Sequence, residues 1–466
     1  MKKTFIFLFG ISVLFAWSYT TAQNEGAINP DLLNNIRLEF NKDSNVKAIM
    51  NAVSSNDIQK LALSRENLGE GDTYFSYRVK TNGITNQKST GRCWLFTGLN
   101  VIRAHVINKY NLDEFSFSHN YNFFYDQLEK ANLFYEGIIT TAGKPIDDKK
   151  VEWFFKNPIG DGGQWTGVID IINKYGLVPS DVFPESYSSE NTSRMSRLLR
   201  TKLKKDALEM RKMYADGIGV ADIRKEKEKM LAEVYRILAI TLGEPPTEFD
   251  WRYKDKDDNV SELKKYTPQS FYKDFVGINL EDYVMFMNDP TREFDKLYEI
   301  DYDRHVYDGH NWKYLNLKTD KIKEFAKKSI MDGEGMYFSC DVGKQLNKNN
   351  GTLNVNNYNY NDLFGVDFDM NKKERIETFT SGSTHGMALM AVDLDKNEKP
   401  VKWLLENSWG KDSGFEGNLI MTDKWFDEYM FRLVINKKYL DAETMKLFDQ
   451  EAILLPPWDP MFVPDN

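Results

Sequence analysis

The residues that could form one catalytic site lie near opposite ends of this 466-residue chain, and this separation constrains the fold more than any other feature. Cys93 follows a Gly/Asn/Ser-rich loop, whereas His385 and Asn407 lie close to the C-terminal end. A cysteine nucleophile needs a base and a group that orients the base, and the three side chains must meet. Both ends of the chain must therefore fold into one unit, with the intervening sequence inserted between them.

Cys93 is expected at the first turn of a helix. The residues after it recur at spacings typical of one buried helical face, namely Leu95, Leu99, Ile102 and Val106. Unpaired N–H groups and the positive end of the helix dipole lower the pKa of a thiol at such a position, and the thiolate is the nucleophile. A cysteine in an apolar helix is more often an inert buried residue, so the case for Cys93 depends on its partners.

A predicted β-hairpin would bring the base and its orienting group together. His385 opens an apolar, strand-like run, and a second run at Val401–Glu406 ends just before Asn407. In an antiparallel hairpin the start of one strand can lie opposite the end of its neighbour. The sequence therefore predicts that the side-chain oxygen of Asn407 lies near the His385 ring, which completes a Cys/His/Asn triad with Cys93.

Gln87 is a candidate for stabilising the negative charge that forms when Cys93 attacks a carbonyl group. It lies in the loop that precedes Cys93. Its side-chain amide could donate to the oxyanion together with the backbone N–H of Cys93. A single Gln in a loop usually faces water, so its assignment rests on the combination with the triad.

These residues and several further motifs resemble those of the papain-like cysteine peptidases, and most closely the branch of bleomycin hydrolase and aminopeptidase C. The motifs that carry the resemblance are Gly91–Phe96, Asp161–Trp165, Cys340–Lys344, Glu406–Gly410 and Pro457–Met461. Thr90 and Arg92 stand where the mainstream papain signature has a cysteine and a small residue, and His385 is much farther from Cys93 than in mainstream enzymes. Both departures agree with this branch.

The resemblance implies an α+β fold, namely a papain-like two-lobe cysteine peptidase with a large helical insertion. A mostly helical lobe would cover residues 23–190, and an antiparallel β lobe would cover residues 331–455. Residues 191–330 would form a mainly helical insertion that takes part in oligomerisation. Residues 1–22 are expected to be a signal peptide, and residues 456–466 a C-terminal arm that enters the active-site cleft.

The first residues have the pattern of a secretory signal peptide. Two lysines precede a short apolar run at Phe5–Trp17, and small residues up to Ala22 follow. The run is too short to serve as a stable membrane anchor. We therefore expect an exported, soluble protein, periplasmic or extracellular, although members of the resembled family are usually cytosolic.

The expected partners follow from the charge and from the insertion. The formal net charge of −9, from 70 acidic and 61 basic residues, gives no global reason to expect nucleic-acid binding. Two amphipathic helices are predicted between Arg194 and Leu242, where basic residues outnumber acidic ones; a solvated helix face is the simplest interpretation. The resemblance implies a homo-hexamer with contacts in the insertion, and leaves nucleic-acid binding open.

The C-terminal arm decides which kind of peptidase the sequence predicts. Four prolines stiffen the last eleven residues, namely Pro456, Pro457, Pro460 and Pro464. In the resembled family the arm enters the cleft, and its terminal carboxylate, here on Asn466, meets the amino group of the substrate. Phe462, Pro464 and Asp465 are bulkier, stiffer or charged compared with the small residues usual in the family.

The predicted function is that of a cysteine aminopeptidase that removes N-terminal residues from peptides. The backbone of Gly162 and Gly163 could approach an extended substrate closely, and Trp409 could shield the bond between Asn407 and His385 from solvent. Two alternatives remain: a broad-specificity cysteine endopeptidase of the same fold, and a peptide- or nucleic-acid-binding protein with a relic site. An acyltransferase also uses Cys and His, but the Trp-flanked Asn favours a peptidase.

No cofactor and no metal are expected. His305, Asp308 and His310 could contribute to a zinc site, but no further ligand accompanies them at a suitable spacing, which favours surface or structural histidines. The only other cysteine, Cys340, is expected to be a buried structural thiol. A redox bridge between Cys93 and Cys340 is the alternative.

Overall fold

The computed structural model describes residues 26–40, 43–67 and 71–461. The predicted signal peptide and Asn466 at the end of the predicted arm lie outside these residues. Among the described residues, no helix is both long enough and apolar enough to cross a membrane.

The chain divides into two compact units. The described part of the smaller unit comprises residues 26–40, 43–63 and 359–366. Its helices are Pro30–Glu39, Ser44–Ser55, Ile58–Ala62 and Tyr360–Phe364. Asn29, Asp43 and Asp57 cap the first three of these by accepting a hydrogen bond from a backbone N–H of the first turn. The larger unit contains every described candidate site residue.

The helices of the larger unit lie mostly in its first half. They are Cys93–Tyr110, His119–Thr140, Lys149–Lys156, Trp165–Tyr175, Tyr187–Glu190, Ser193–Ala215, Val220–Leu242, Pro268–Ser270, Thr319–Met331, Lys372–Glu377, Asp423–Tyr429 and Ala442–Leu447. Short 3₁₀ segments occur at Arg65–Asn67, Leu280–Asp282 and Lys437–Tyr439, and a π-helical segment at Phe271–Val276.

The strands of the larger unit are β1 (Tyr77–Arg78), β2 (Phe249–Trp251), β3 (Lys264–Tyr266), β4 (Tyr283–Met287), β5 (Lys296–Ile300), β6 (Lys313–Asn316), β7 (Met336–Cys340), β8 (Leu346–Asn347), β9 (Thr352–Leu353), β10 (His385–Leu394), β11 (Pro400–Glu406), β12 (Asn418–Thr422), β13 (Met430–Asn436) and β14 (Ile453–Leu455). Twelve described strands form one mixed sheet in the order β14-β5-β6-β4-β13-β7-β10-β11-β12-β9-β8, with β1 paired to β10. Strands β2 and β3 pair separately. The mixed helix and sheet content agrees with the predicted α+β class.

Two apolar cores hold the larger unit together. One is formed mainly by the helices that include Cys93–Tyr110 and His119–Thr140. The other is formed by side chains of the central strands together with helices Thr319–Met331 and Asp423–Tyr429. Strand β7 contributes Tyr337 to the first core and Met336, Phe338 and Cys340 to the second, because successive residues of a strand point to opposite faces. The sheet at this strand therefore separates the two cores and contacts both of them.

The predicted helical pair of the insertion is present, but the insertion is less helical than expected. The apolar side chains that recur along the two helices are buried, except the exposed Tyr214. They are Leu199, Leu203, Ala207 and Met210 on Ser193–Ala215, and Ile223, Met230, Val234 and Leu238 on Val220–Leu242. The helical pattern ends at Gly243, which has a φ of 95°, and two prolines follow. Beyond them, β4, β5 and β6 join the large sheet, so residues 191–330 are not mainly helical throughout.

Candidate active site

The helix that carries Cys93 begins at Cys93, as predicted. Its predicted apolar stripe is buried completely or almost completely, from Leu95 to Val106. The preceding residue, Arg92, is also buried; its guanidinium pairs with Glu185 at 3.0 Å and lies over the Phe96 ring. Burial lowers the pKa of Arg92, and the charge of Glu185 opposes that effect. The arginine of the Gly-Arg-Cys-Trp motif thus anchors the start of the helix in the core.

Asp161 holds the residues on both sides of Cys93, through the Gly91 backbone and the Trp94 side chain. Its carboxylate accepts a hydrogen bond from the Gly91 N–H at 2.8 Å, and its backbone oxygen accepts one from the Trp94 indole at 2.9 Å. The hydroxyl of Thr192 donates to the same carboxylate. The position of Cys93 is therefore set by bonds to neighbouring segments as well as by its helix.

The predicted hairpin brings His385 and Asn407 together. Strands β10 and β11 are antiparallel, with Ala388 opposite Glu406. His385 Nε2 lies 2.8 Å from Asn407 Oδ1. The backbone N–H of Ser408 donates to the same oxygen at 2.8 Å, which fixes the orientation of the amide. Since Oδ1 can only accept, Nε2 carries the hydrogen and Nδ1 is left as the basic nitrogen of the neutral ring.

Cys93 and His385 line the same cavity. The backbone N–H of Gly386, next to His385, lies 3.5 Å from the Cys93 sulfur. The Trp409 ring lies 4.9 Å from the His385 ring, tilted by 31°. The indole therefore lies against the imidazole that bonds Asn407, the arrangement expected for shielding that bond from water.

Gln87 is buried and held rigidly beside the site. Its Nε2 donates to the backbone oxygen of Thr90 at 2.7 Å, and its Oε1 accepts from the Ser408 hydroxyl at 2.6 Å. A backbone bond from Gln87 N to Ser408 O, at 2.8 Å, joins the two segments again. The amide has a second hydrogen that the bond to Thr90 does not use. Gln87 is thereby tied to the residue that follows Asn407.

The cavity has polar and apolar parts. Gly162 and Gly163, both predicted to contact substrate, line it together with Cys93 and His385. Its lining also includes apolar or aromatic side chains, among them Leu133, Phe134, Trp153, Phe154 and Ile159, and basic ones, namely Lys130, Lys156, Arg200, Arg304 and Arg432. Such a cavity can hold a short peptide with its backbone against the two glycines.

His305 belongs to this cavity, a role that the sequence does not predict. It is buried, its Nδ1 lies 2.6 Å from Asp126 Oδ1, and its ring meets the Trp94 ring edge-on at 4.6 Å. The Nδ1 atom of His310 instead lies 2.7 Å from Asp170 Oδ1, and this hydrogen bond raises the pKa of His310. Among the described residues, no group of three or more His, Cys, Asp or Glu could hold a metal ion.

Lys130 links the same cluster to the predicted substrate-binding backbone. Its ammonium pairs with Asp126 at 3.0 Å and donates to the backbone oxygens of Gly160, at 3.2 Å, and of Gly162. Asp126 and His305 are far apart in sequence, and no local pattern connects either of them with Gly162. Only the packing of helix His119–Thr140 against the Gly162 segment reveals this contact.

Cys340 is a buried structural thiol on the far face of the sheet. Met336, Phe338 and Cys340 belong to the strand core, whereas Tyr337 and Ser339 line the cavity. This alternation directs the Cys340 side chain away from the cavity that Cys93 lines. Burial raises the pKa of Cys340 well above the usual value for a thiol. The two thiols form no disulfide, and the alternation disfavours a bridge between them.

Burial of His385 predicts a loss of stability in acid. Burial lowers its pKa to about 4, although the bond to Asn407 opposes this, so the ring is neutral at pH 7 and can accept a proton. As pH falls below about 6.5, the unfolded chain binds a proton at His385 before the folded chain does. We expect His385 to remove about 3 kcal/mol from the free energy of unfolding between pH 7 and pH 4.

Urea unfolding at both pH values would measure this loss, with the His385→Gln variant as the control. The variant lacks the titrating ring and should lose about 3 kcal/mol less than the wild type over the same interval. Equal losses in the two proteins would contradict a lowered pKa for His385.

Comparisons with known proteins bear on the chemistry of this cavity. A model of the Peptidase C1-like family matches residues 27–462. Bleomycin hydrolase of Mus musculus is 38% identical over 449 residues, covering 94% of this chain and 99% of the relative. Aminopeptidase C of Lactobacillus delbrueckii subsp. lactis is 38% identical over 416 residues, covering 88% and 92%. The crystal structure of PepW from Lactobacillus rhamnosis HN001 has a TM-score of 0.90 at 40% identity, covering 94% and 99%.

Proposed function

Since this chain belongs to the Peptidase C1-like family, alongside bleomycin hydrolase and aminopeptidase C, and is a cysteine-type peptidase, we propose that it removes N-terminal residues from peptides through Cys93, His385 and Asn407. The observation that carries the proposal is the 2.8 Å bond between His385 and Asn407 at a cavity that Cys93 also lines. Peptide hydrolysis by a thiol needs a nucleophile, a base and an acceptor that orients the base. Cys93, His385 and Asn407 are residues of these three types.

The reaction proceeds in two stages. His385 Nδ1 takes the thiol proton as the Cys93 sulfur attacks the carbonyl carbon of the first peptide bond. The Gln87 amide and the Cys93 backbone N–H stabilise the oxyanion. The imidazolium then protonates the leaving amine, and a water molecule, deprotonated by His385, releases the acyl group and regenerates the thiol. Asn407 holds the ring in the tautomer that both stages need.

The substrate lies in a cleft between two papain-like lobes, with Cys93 on the helical lobe and His385 and Asn407 on the β lobe. Its backbone runs beside Gly162 and Gly163, where the lack of a side chain leaves room for close approach. The aromatic lining accommodates an apolar side chain of the peptide. Trp409 keeps water from the bond between His385 and Asn407.

The C-terminal arm restricts the enzyme to free N-termini. Arg432 lines the cavity and donates to the backbone oxygen of Met461, the last described residue, so the chain reaches the cavity wall at that point. We propose that the carboxylate of Asn466, a residue outside the described ones, pairs with the ammonium group of the peptide. An endopeptidase of the same fold would have the same triad and would differ in this pairing.

The family resemblance implies the assembly of the enzyme, whereas its proposed location comes from the pattern of its first residues. We propose a homo-hexamer in which helices Ser193–Ala215 and Val220–Leu242 contribute to subunit contacts. Several apolar side chains of these helices are exposed in the single chain, namely Leu198, Leu208, Tyr214 and Ile240. We further propose export through the N-terminal signal sequence and processing of peptides outside the cytoplasm.

Removal of Phe462–Asn466 tests the function directly. The truncated enzyme should cleave N-acetylated peptides better relative to free peptides, by about tenfold or more, because the ammonium–carboxylate pair no longer favours a free N-terminus. The measurement is the ratio of kcat/KM for a fluorogenic peptide with a free and an acetylated N-terminus. The same truncation in a Cys93→Ser background gives the activity of contaminating peptidases. An unchanged ratio would favour the endopeptidase alternative.

A further inference from the structure

A buried ion pair joins the helix that begins at Cys93 to the strand that ends just before Asn407. Arg103 Nη2 lies 2.6 Å from Glu406 Oε1, and the two side chains are only 3% and 2% exposed. The partners are 303 positions apart in the sequence. Arg103 lies in helix Cys93–Tyr110, and Glu406 is the last residue of β11. One polar contact thus connects the element of the nucleophile with the element of the orienting amide.

The packing between this helix and the neighbouring strand β10 is apolar and uses mostly small side chains. They form one buried cluster of Val79, Val101, Ala104, Ala388 and Met390. Ala388 lies opposite Glu406 in the hairpin, three residues after His385. Apolar contacts have no preferred direction, so such side chains set the distance between helix and strand better than the position along the strand. A charged hydrogen bond is directional and requires its two atoms at one place. The ion pair therefore restricts sliding that the apolar cluster leaves open.

Stability alone does not account for this pair. The two charges attract each other more strongly here than in water, but both lose their hydration. Burial raises the pKa of Glu406, and the charges of Arg103 and Arg78 oppose this shift. The Nε atom of Arg103 is buried as well and has no acceptor among the described residues, which costs free energy. Well-packed apolar side chains of similar volume often give as much stability as a buried ion pair. A geometric role explains the pair better.

We propose that Arg103 and Glu406 are positioning residues that fix the end of β11 against the helix of the nucleophile. This inference rests on the proposed triad. Glu406 directly precedes Asn407, which bonds the His385 ring at 2.8 Å. A shift of β11 along the helix would therefore move the imidazole relative to the Cys93 sulfur, and proton transfer between the two requires hydrogen-bond reach. The ion pair thereby sets the reactivity of the thiol from outside the catalytic cavity.

The test replaces both partners by apolar side chains, in Arg103→Met combined with Glu406→Leu. This double variant leaves no unpaired buried charge, so it should unfold at the same urea concentration as the wild type or at a higher one. Arg103→Lys keeps the charge but not the shape of the guanidinium. The matched control removes another ion pair, in Arg375→Met combined with Glu428→Leu. Arg375 Nη2 lies 2.6 Å from Glu428 Oε2, and neither residue is among those that line the catalytic cavity.

The first measurement is the rate constant for alkylation of Cys93 by iodoacetamide at pH 7. A Cys340→Ala background leaves Cys93 as the only thiol of the chain, and His385→Ala gives the rate of that thiol without its base. A thiol of ordinary pKa, about 8.5, is mostly protonated at this pH. We therefore expect the apolar double variant to react about tenfold more slowly than the wild type, close to the rate of His385→Ala.

The second measurement is peptide turnover. In the apolar double variant kcat should fall by about 10²-fold, because a displacement of about 1 Å in the site can cost that much, and KM should change less. Arg103→Lys should give intermediate values of both the alkylation rate and kcat. The control double variant should keep the wild-type values of both.

The outcomes separate the ion pair from the triad. If His385→Ala slows alkylation but the apolar double variant keeps the wild-type alkylation rate and kcat, the role of the pair is refuted and the triad stands. An equal loss in the control double variant also refutes that role. If the apolar double variant does not fold, Arg103→Lys decides, and unchanged rates in it refute the role. If His385→Ala reacts as fast as the wild type, the triad fails and the role of the pair fails with it.

Discussion

Replacing Cys93 with serine should reduce kcat/KM for a free peptide by about 10⁴-fold or more, because the hydroxyl is a far weaker acid and nucleophile than the thiol in a site built around sulfur. The fold should survive the change. Cys93 is the first residue of its helix and is only partly buried, and serine is well tolerated at a helix N-terminus. Peptide turnover and urea unfolding, measured on the same preparation, would separate the loss of activity from any loss of stability.

Cys340→Ala is the matched control for this change. It removes the other thiol of the chain from a fully buried site on the opposite face of β7, at a cost of about 1 kcal/mol in the free energy of unfolding. We expect activity close to that of the wild type. Near-normal turnover by Cys93→Ser, or an equal loss in both variants, would contradict the assignment of Cys93 as the nucleophile.

The elements around the triad could be predicted because each has a local pattern. The spacing of apolar residues after Cys93 indicates a helix, and the two runs separated by the Asn397–Pro400 turn indicate a hairpin. A hairpin constrains its own register, so the proximity of His385 to Asn407 follows from sequence. That His385 and Cys93 line the same cavity could be predicted only from the family resemblance, because no local pattern links the two ends of the chain.

The parts that sequence did not predict depend on contacts between distant segments. His305 and Asp126 are separated by 179 positions, and the motif around His305 resembles a surface turn. Likewise, the residues of β4, β5 and β6 have short apolar runs that do not indicate which sheet they join. In each case the partner in space, not the neighbouring sequence, determines whether the residue is buried. For His305, only the structure shows that the residue is buried and lines the cavity.

Replacing Gly163 with alanine should strongly reduce both the stability and the activity of the protein. A Cβ atom at this position would lie 2.1 Å from His305 Cε1, 2.4 Å from its Nε2 and 3.1 Å from Trp94 Cδ2. The His305 ring cannot turn aside freely, because Asp126 holds its Nδ1 and the ring also packs against Gly167, where an added Cβ would lie 2.2 Å from Nδ1. We expect Gly163→Ala to lower the free energy of unfolding by about 3 kcal/mol.

The same substitution should impair catalysis, since Trp94 follows Cys93 directly and Gly163 lines the cavity. A displacement of about 1 Å in a catalytic site can cost about 10²-fold in rate, and we expect a loss of that order in kcat/KM. Gly343→Ala is the control: apart from its chain neighbours, no described residue has a heavy atom within 4 Å of the added Cβ, so stability should change by less than about 0.5 kcal/mol and activity should be retained.

A second substitution separates the steric effect from a general intolerance of change at Gly163. His305→Ala removes the ring that the new Cβ would meet and leaves Asp126 paired with Lys130, although it opens a cavity of its own. Because the closest clashes are then removed, Gly163→Ala combined with His305→Ala should be more stable than the sum of the two single losses predicts. Additive losses would mean that the Cβ does not press on His305.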